Sequence, residues 1–211
     1  MDAAGLLRSY VGLVILERRA KERFSMADFR SLRDRHAMAA YLGTHAGVLG
    51  RGLDREVYDT GLGYVVKLAK DAAARDQNKH EVRVASRFPQ QLVVPFLVHD
   101  ADFWWIAAKK VRNLAPREVD ARIEQLTGLS NTDQLENAIR AGCIALGKYR
   151  VWLTRYGDVD AWKARHERLM GHNEWYAELF NAVVKHDVRD LNEGNWGLDE
   201  RGNLVIIDLG V

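Results

Sequence analysis

The C-terminal stretch DLNEGNWGLDERGNLVIIDLGV holds side chains suited to phosphate and metal chemistry. Asp190 precedes Asn195 by five positions, and Asp208 follows Asn195 by thirteen. Carboxylate and amide oxygens are the hard ligands that Mg²⁺ prefers, and a bound Mg²⁺ bridges phosphate oxygens. A carboxylate at such a site also accepts the proton of an attacking hydroxyl. The spacing therefore indicates a site for metal-bound phosphate.

Further candidates lie earlier in the chain. The segment LGRGLDREVY contains Gly50 and Gly52, which allow backbone to approach a phosphate closely. YVVKLAK carries Lys67 on a predicted strand, and NKHEVRV carries Glu81 on a predicted helix. Taken singly, each has an ordinary explanation, because glycines form turns and charged residues on strands and helices are commonly solvated. Only the ordered set of residues points to a function.

In this order the three stretches resemble the protein-kinase-like phosphotransferase family over about residues 47–211. The resemblance implies that the two glycines belong to a glycine-rich loop over the phosphates and that Val57 covers the adenine. It also implies that Lys67 binds the α and β phosphates of ATP, with Glu81 as its partner on a helix. ATP and Mg²⁺ are then the expected cofactors.

The resemblance assigns roles to the C-terminal stretch as well. Asp190 in VRDLNEGN corresponds to the catalytic aspartate, and Lys67 and Glu81 complete the catalytic set. Asn195 and Asp208, the latter in IIDLG, correspond to the metal ligands. These residues would position the nucleotide and neutralise charge during phosphoryl transfer.

A hinge is expected in the segment AAKKVRN. By resemblance, the backbone of Lys109 and Val111 would contact the adenine, and Ala108 would be the gatekeeper of a roomy back pocket.

The sequence departs from the family pattern at several positions. Arg55 replaces the third glycine of the loop, Val188 replaces the usual histidine two residues before Asp190, and DLG replaces DFG. One residue follows Gly210, so a minimal form is expected, truncated after the metal motif and without the activation segment that Arg189 would contact. Substrate recognition is then expected from the N-terminal helices, the later helices or another chain.

The elements that must position these residues follow from hydrophobic periodicity and turn residues. Helices are predicted over 5–23, from Ser25 to Gly43, over AAARDQNKHEVRVASRF and between Asn113 and Lys185, with an N-cap in TGLSNT and breaks near Gly157 and Gly171. About four strands are predicted before Arg112, with a hairpin turn at DTGLG, and two short strands near the end in NWGLD and LVIID. The expected fold is α+β and two-lobed, with a small antiparallel N-lobe and a reduced helical C-lobe.

Three segments are expected: an N-terminal helical extension over 1–46, a kinase-like N-lobe over 47–112 and a reduced C-lobe over 113–211. The charge is balanced, with 31 Lys and Arg against 29 Asp and Glu, which gives no reason to expect nucleic acid or an anionic membrane as a partner. Cys143 is the single cysteine, which excludes an intrachain disulfide and fits a cytoplasmic setting. No signal peptide or transmembrane helix is predicted.

The sequence therefore predicts an ATP- and Mg²⁺-dependent kinase that acts on a hydroxyl, with Ser or Thr of a protein as the expected target. The alternative is a catalytically inactive kinase-like protein that acts by binding another protein. A nucleic-acid-binding module at 1–45 is the third hypothesis, and the near-neutral charge argues against it. A protein substrate or binding partner is expected in the first two cases, and homo-oligomerisation stays open.

Overall fold

The structure is a computed structural model that describes residues 23–148, 158–188 and 190–209. The helix predicted over 5–23 lies outside these residues except for its last position, and Arg189 and Gly157 also lie outside them. The chain divides into two compact units. The first comprises Met1–Arg75 with Val98–Ala108, and the second comprises Asp76–Leu97 with Lys109–Val211.

The described residues form an α+β structure. The helices are α1 (Met26–Ser31), α2 (Arg35–His45), α3 (Ala72–Ala85), α4 (Pro116–Thr127), α5 (Thr132–Ala145), α6 (Val159–His172) and α7 (Glu174–His186), with a 3-10 turn at Glu193–Asn195. The strands are β1 (Gly47–Arg51), β2 (Arg55–Asp59), β3 (Tyr64–Ala69), β4 (Phe96–His99), β5 (Trp105–Lys109), β6 (Arg112–Asn113), β7 (Trp196–Leu198) and β8 (Leu204–Ile206). The predicted domain boundaries and the kinase-like arrangement of two lobes stay predictions.

Two sheets contain these strands. One has the order β1-β2-β3-β5-β4, and the other has the order β6-β7-β8. The pairs β1–β2, β2–β3, β6–β7 and β7–β8 are antiparallel. Among the described residues, five strands precede Arg112 where about four were predicted. The additional strand arises because the Gly47–Asp59 segment folds back on itself, and the N–H of Gly52 donates to the carbonyl of Arg55 at 2.9 Å.

The core of the first unit includes the N-terminal helices. Phe29 of α1 and Leu42 of α2 are fully buried with Val66 and Leu68 of β3, and the ring of Phe29 lies 5.1 Å from that of Trp105. The described part of the predicted extension therefore contributes to the same core as the sheet.

One continuous helix from Ser25 to Gly43 was predicted, and this is wrong. Ser25 does begin a helix, since its hydroxyl accepts the N–H of Asp28 at 3.3 Å. The helix stops after Ser31, and the side chain of Asp34 caps a second one by accepting the N–H of Ala37 at 2.8 Å. A good N-cap here outweighs the helical propensity of the surrounding residues.

The second unit is mainly helical and is packed around the buried residues of α4, α5 and α7. The predicted N-cap in TGLSNT is confirmed as Asn131, whose side chain accepts the N–H of Gln134 at 2.9 Å. The predicted break near Gly171 is confirmed, because α6 ends at His172 and Asn173 then caps α7. Within the described ranges, every helix is too short or too polar to cross a bilayer.

Candidate functional site

Asp190 lies in the loop that follows α7 in the second unit. The carboxylate oxygen Oδ1 accepts the backbone N–H of Asn192 at 3.3 Å and its side-chain Nδ2 at 2.5 Å. The Oδ1 of Asn192 in turn accepts the N–H of Gly194 at 2.8 Å, which opens the 3-10 turn. These hydrogen bonds hold the half-buried carboxylate of Asp190 against its own loop.

Asn195 connects this loop to the end of the chain. The side-chain Nδ2 of Asn195 donates to the carbonyl of Asp190 at 3.3 Å, and the carbonyl of Asn195 accepts the N–H of Ile207 at 2.8 Å. Ile207 directly precedes Asp208. Asp190, Asn195 and Asp208 thus lie on neighbouring loops of one unit.

The strand before Asp208 is well anchored. In β8, Ile206 pairs with Trp196 of β7, and its N–H donates to the carbonyl of Leu92 at 2.9 Å. Its carbonyl accepts the N–H of Val94 at 3.0 Å. Backbone on both sides of Ile206 therefore fixes the point at which Asp208 leaves the strand.

The chemistry of Asn195 and Asp208 fits Mg²⁺. The side-chain nitrogen of Asn195 donates to the backbone carbonyl of Asp190. The side-chain oxygen of Asn195 is therefore the atom left to bind a cation. One amide oxygen and one carboxylate match the way Mg²⁺ is held by few protein ligands, with water and phosphate oxygens completing its shell. Within the described part of the chain, no group of three or more His, Cys, Asp or Glu side chains forms a metal site of its own.

In the first unit, three predicted residues are direct neighbours across the sheet. Gly50 of β1 pairs with Val57 of β2, and Val57 pairs with Lys67 of β3. Residues opposite each other in antiparallel strands point to the same face. The structure therefore brings Gly50, Val57 and Lys67 together in one row, and Lys67 is buried at 6% exposure.

Lys70 was not among the residues predicted for the site. Its Nζ donates to the carbonyl of Gly52 at 2.5 Å, and its backbone N–H donates to the carbonyl of Asp54 at 2.9 Å. Lys70 thus closes the Gly52 turn. The feature of the sequence that could have pointed to Lys70 is the second lysine of VVKLAK, three positions after Lys67.

The remaining predicted residues belong to the second unit. Glu81 is buried on α3 at 2% exposure, and its pairing with Lys67 of the first unit stays a prediction. The N–H of Lys109 donates to the carbonyl of Pro95 at 2.9 Å, and its Nζ lies 2.8 Å from Oε2 of Glu200.

Val111 packs against the hairpin of β7 and β8. A Cβ built on Gly197 would lie 2.7 Å from Cγ2 of Val111 and 3.1 Å from Cγ2 of Ile207. Because β6 also pairs with β7, the predicted hinge after Lys109 and the loops of Asn195 and Asp208 share one small sheet. The predicted contact of Lys109 and Val111 with adenine and the gatekeeper role of Ala108 stay predictions.

Comparisons with known proteins give little. No known family profile matches the sequence, and no curated protein matches it. Among solved structures, the chain is similar to the crystal structure of choline kinase LicA from Streptococcus pneumoniae, with 13% sequence identity and a TM-score of 0.39. The match covers 83% of this chain and 66% of that one, so the chain spans less than two thirds of the length of this structure. At this level of similarity, neither fold nor activity follows from the match.

Proposed function

We propose that the chain is an ATP- and Mg²⁺-dependent phosphotransferase of the protein-kinase-like type. The observation that supports this most is the position of Asn195, whose side chain binds the Asp190 backbone while its carbonyl binds the residue before Asp208. A general base and two oxygen ligands for a cation are the groups that phosphoryl transfer needs on one side of a nucleotide. Asp and Asn are also common turn residues, but turn formation alone does not require that hydrogen bonds of Asn195 join the loops of Asp190 and Asp208.

Each residue has a separate role in this proposal. Bound Mg²⁺ would supply positive charge that neutralises the phosphate oxygens. Asn195 and Asp208 hold that cation through hard oxygens. Asp190 orients the acceptor hydroxyl and takes its proton. In the first unit, Lys67 supplies an ammonium for the nucleotide phosphates, and the Gly50–Gly52 segment allows the backbone to approach them.

The acceptor is proposed to be a hydroxyl group, and Ser or Thr of a protein is the finer part of the proposal. The experiment uses γ-labelled ATP with Mg²⁺ and two acceptor pools, a proteome and a filtrate of small hydroxyl compounds from the same cells. Label that stays on protein after all small molecules have been removed supports a protein target. Label that appears only in the filtrate identifies a small-molecule kinase. If ATP consumption exceeds that of the no-enzyme control in neither pool, the proposed function is contradicted.

A second candidate, a kinase-like binding protein, is favoured by one observation. Val48 and Leu49 on edge strand β1 are about half exposed, and Leu53 in the turn after it is 94% exposed. Clustered apolar side chains at a surface often mark a protein-binding site. In that case Leu53→Ser would weaken partner capture, and neither the wild type nor the variant would form ADP from MgATP above the no-enzyme control.

A further inference from the structure

The end of β1 and the turn after it hold two glycines that the fold itself does not require. Neither Gly50 nor Gly52 has a φ in the left-handed region, so other residues could adopt their backbone conformation. Apart from chain neighbours, a Cβ built on Gly50 would meet no described atom within 4 Å, and one on Gly52 would meet only the carbonyl oxygen of Arg55, at an ordinary 3.5 Å. Glycine here therefore keeps the backbone accessible to a ligand.

The backbone of Gly52 is nevertheless held at both of its polar groups. Its N–H donates to the carbonyl of Arg55 at 2.9 Å, which closes the turn. Its carbonyl accepts a hydrogen bond at 2.5 Å from Nζ of Lys70, which lies 18 positions further along the chain. A hydrogen bond from an ammonium group is shorter and stronger than one between neutral groups. The turn is thus fixed by a remote side chain in addition to its own closing bond.

Lys70 reaches the turn from an anchored position. It follows Ala69, the last residue of β3, whose N–H donates to the carbonyl of Trp104 at 2.8 Å. The carbonyl of Ala69 accepts Nε–H of Arg35 at 3.3 Å, and the N–H of Lys70 donates to the carbonyl of Asp54 at 2.9 Å. These residues all belong to the first unit. The base of the Lys70 side chain is therefore fixed by the sheet, by α2 and by the turn itself.

Holding the Gly52 carbonyl also orients the next backbone donor of the turn. In a trans peptide the C=O and the following N–H point in opposite directions, so a fixed Gly52 carbonyl fixes the N–H of Leu53. The side chain of Leu53 is 94% exposed and does not anchor this peptide. The orientation of this exposed backbone therefore depends on the bond from Lys70.

We propose that Lys70 is a positioning residue for the nucleotide. Its ammonium group keeps the Gly50–Gly52 segment in the conformation that receives the phosphates, and Lys70 itself contacts no reacting atom. Because the segment is already ordered when the nucleotide arrives, the cost of ordering it on binding is avoided, which raises the affinity for MgATP. The inference rests on the proposed function, since this conformation matters for a nucleotide only if the chain binds MgATP.

The test compares Lys70→Met with Lys70→Arg in the full chain. Met keeps an unbranched side chain and removes the donor, whereas Arg retains cationic donors. Three quantities are measured: the hydrogen exchange rate of the Gly52 amide by NMR without nucleotide, the MgATP affinity by calorimetry, and kcat for ADP formation. For Lys70→Met we expect exchange to be faster by about 10-fold or more and affinity to fall about 10-fold, with kcat within about 3-fold. Lys70→Arg should recover most of both losses.

Lys163→Met is the matched control, because Lys163 on α6 is also partly exposed and donates to Asp160 of its own helix at 3.3 Å. It should change none of the three quantities. Unchanged Gly52 exchange in Lys70→Met would overturn the contact, and faster exchange with unchanged MgATP affinity would overturn the positioning role. Failure of the wild type to bind MgATP is a separate result: it removes the proposed function and the positioning role together, while the exchange rates still show whether Lys70 holds the turn.

Discussion

The backbone N–H of Ile207 donates to the carbonyl of Asn195 at 2.8 Å. This bond closes the hairpin of β7 and β8, in which Trp196 pairs with Ile206. The thirteen positions between Asn195 and Asp208 are therefore the length of one short hairpin, which returns the chain to where it started. The spacing seen in the sequence has a geometric cause.

Replacing Asp208 with Asn tests the metal ligand. The change keeps the size of the side chain and removes the negative charge that would hold Mg²⁺. A ligand that binds only the folded protein raises its melting temperature by mass action. We expect MgATP to stabilise the wild type more than ATP with EDTA does, and this difference to disappear in Asp208→Asn. The exposed Asp160→Asn serves as control, and a full Mg²⁺-dependent shift in Asp208→Asn would refute the assignment.

Gly197 tests the packing of the hinge segment against the hairpin. A Cβ at this position would lie 2.7 Å from Cγ2 of Val111 and 3.1 Å from the carbonyl oxygen of Arg112. We expect Gly197→Ala to lower the free energy of unfolding by about 1–3 kcal/mol in urea titrations, because the added methyl overpacks the contact. Adding Val111→Ala should restore part of this loss.

The control for that change is Gly43→Ala in α2. Apart from its chain neighbours and the backbone of its own helix, no described atom lies within 4 Å of a Cβ built on Gly43. The helix should therefore gain up to about 1 kcal/mol from the alanine. Equal effects of the two substitutions would contradict the close approach at Gly197.

Phe29 tests whether the N-terminal helices belong to the core of the first unit. The side chain is fully buried against Trp105. We expect Phe29→Ala to cost about 3–5 kcal/mol of unfolding free energy, as for other buried aromatic residues. The neighbouring exposed Arg30→Ala should change it by less than about 0.5 kcal/mol. A small effect of Phe29→Ala would mean that these helices are a detachable extension.

The buried pair of His166 and Tyr176 predicts a dependence of stability on pH. The Nδ1 of His166 lies 2.8 Å from the hydroxyl of Tyr176. Burial lowers the pKa of His166 below its usual 6.5, and Glu167 opposes this only in part. The unfolded chain then binds more protons than the folded one as the pH falls. The contribution of His166 to the free energy of unfolding is therefore complete above about pH 6.5 and is lost as the pH falls through the pKa of the folded state.

We therefore expect the free energy of unfolding to fall as the pH is lowered from about 6.5 to about 5. His186 acts in the same direction, because burial and Lys185 lower its pKa. His166→Gln should reduce the pH dependence measured by urea titration, and the double variant with His186→Gln should reduce it further. A pH dependence that is the same in the wild type and His166→Gln would exclude this origin.

The parts of the fold that were predicted correctly are those that depend on neighbouring residues. The turn at DTGLG and the short strands around ERGN are set by local residue types and by alternation of apolar side chains. The break before Asp34 was missed because a cap competes with helical propensity there, and the outcome depends on how Phe29 and Leu42 pack. The break near Gly171 was predicted correctly, because this glycine lies in the last turn of α6 and Asn173 then caps α7.

The candidate site also has a part that could be predicted from the sequence and a part that could not. Its residue types and their order in the chain were visible, including Gly50, Val57 and Lys67, which the sheet register places side by side. Lys70 was missed because its ammonium donates to a backbone atom remote in sequence, the carbonyl of Gly52. Backbone groups are the same in every residue, so such contacts leave no motif.

The central claim is that the loops of the second unit carry out phosphoryl transfer. Substitution of Asp190 tests this claim most directly. The experiment compares the wild type with Asp190→Asn. MgATP affinity is measured by calorimetry, and the rate of ADP formation is measured with the acceptor pool, proteome or filtrate, that takes up label from γ-labelled ATP. Loss of a positioned general base should lower the rate roughly 10²-fold or more and leave the affinity within about a factor of ten. An equal rate of transfer in the two proteins, both folded and both binding MgATP, would contradict the account.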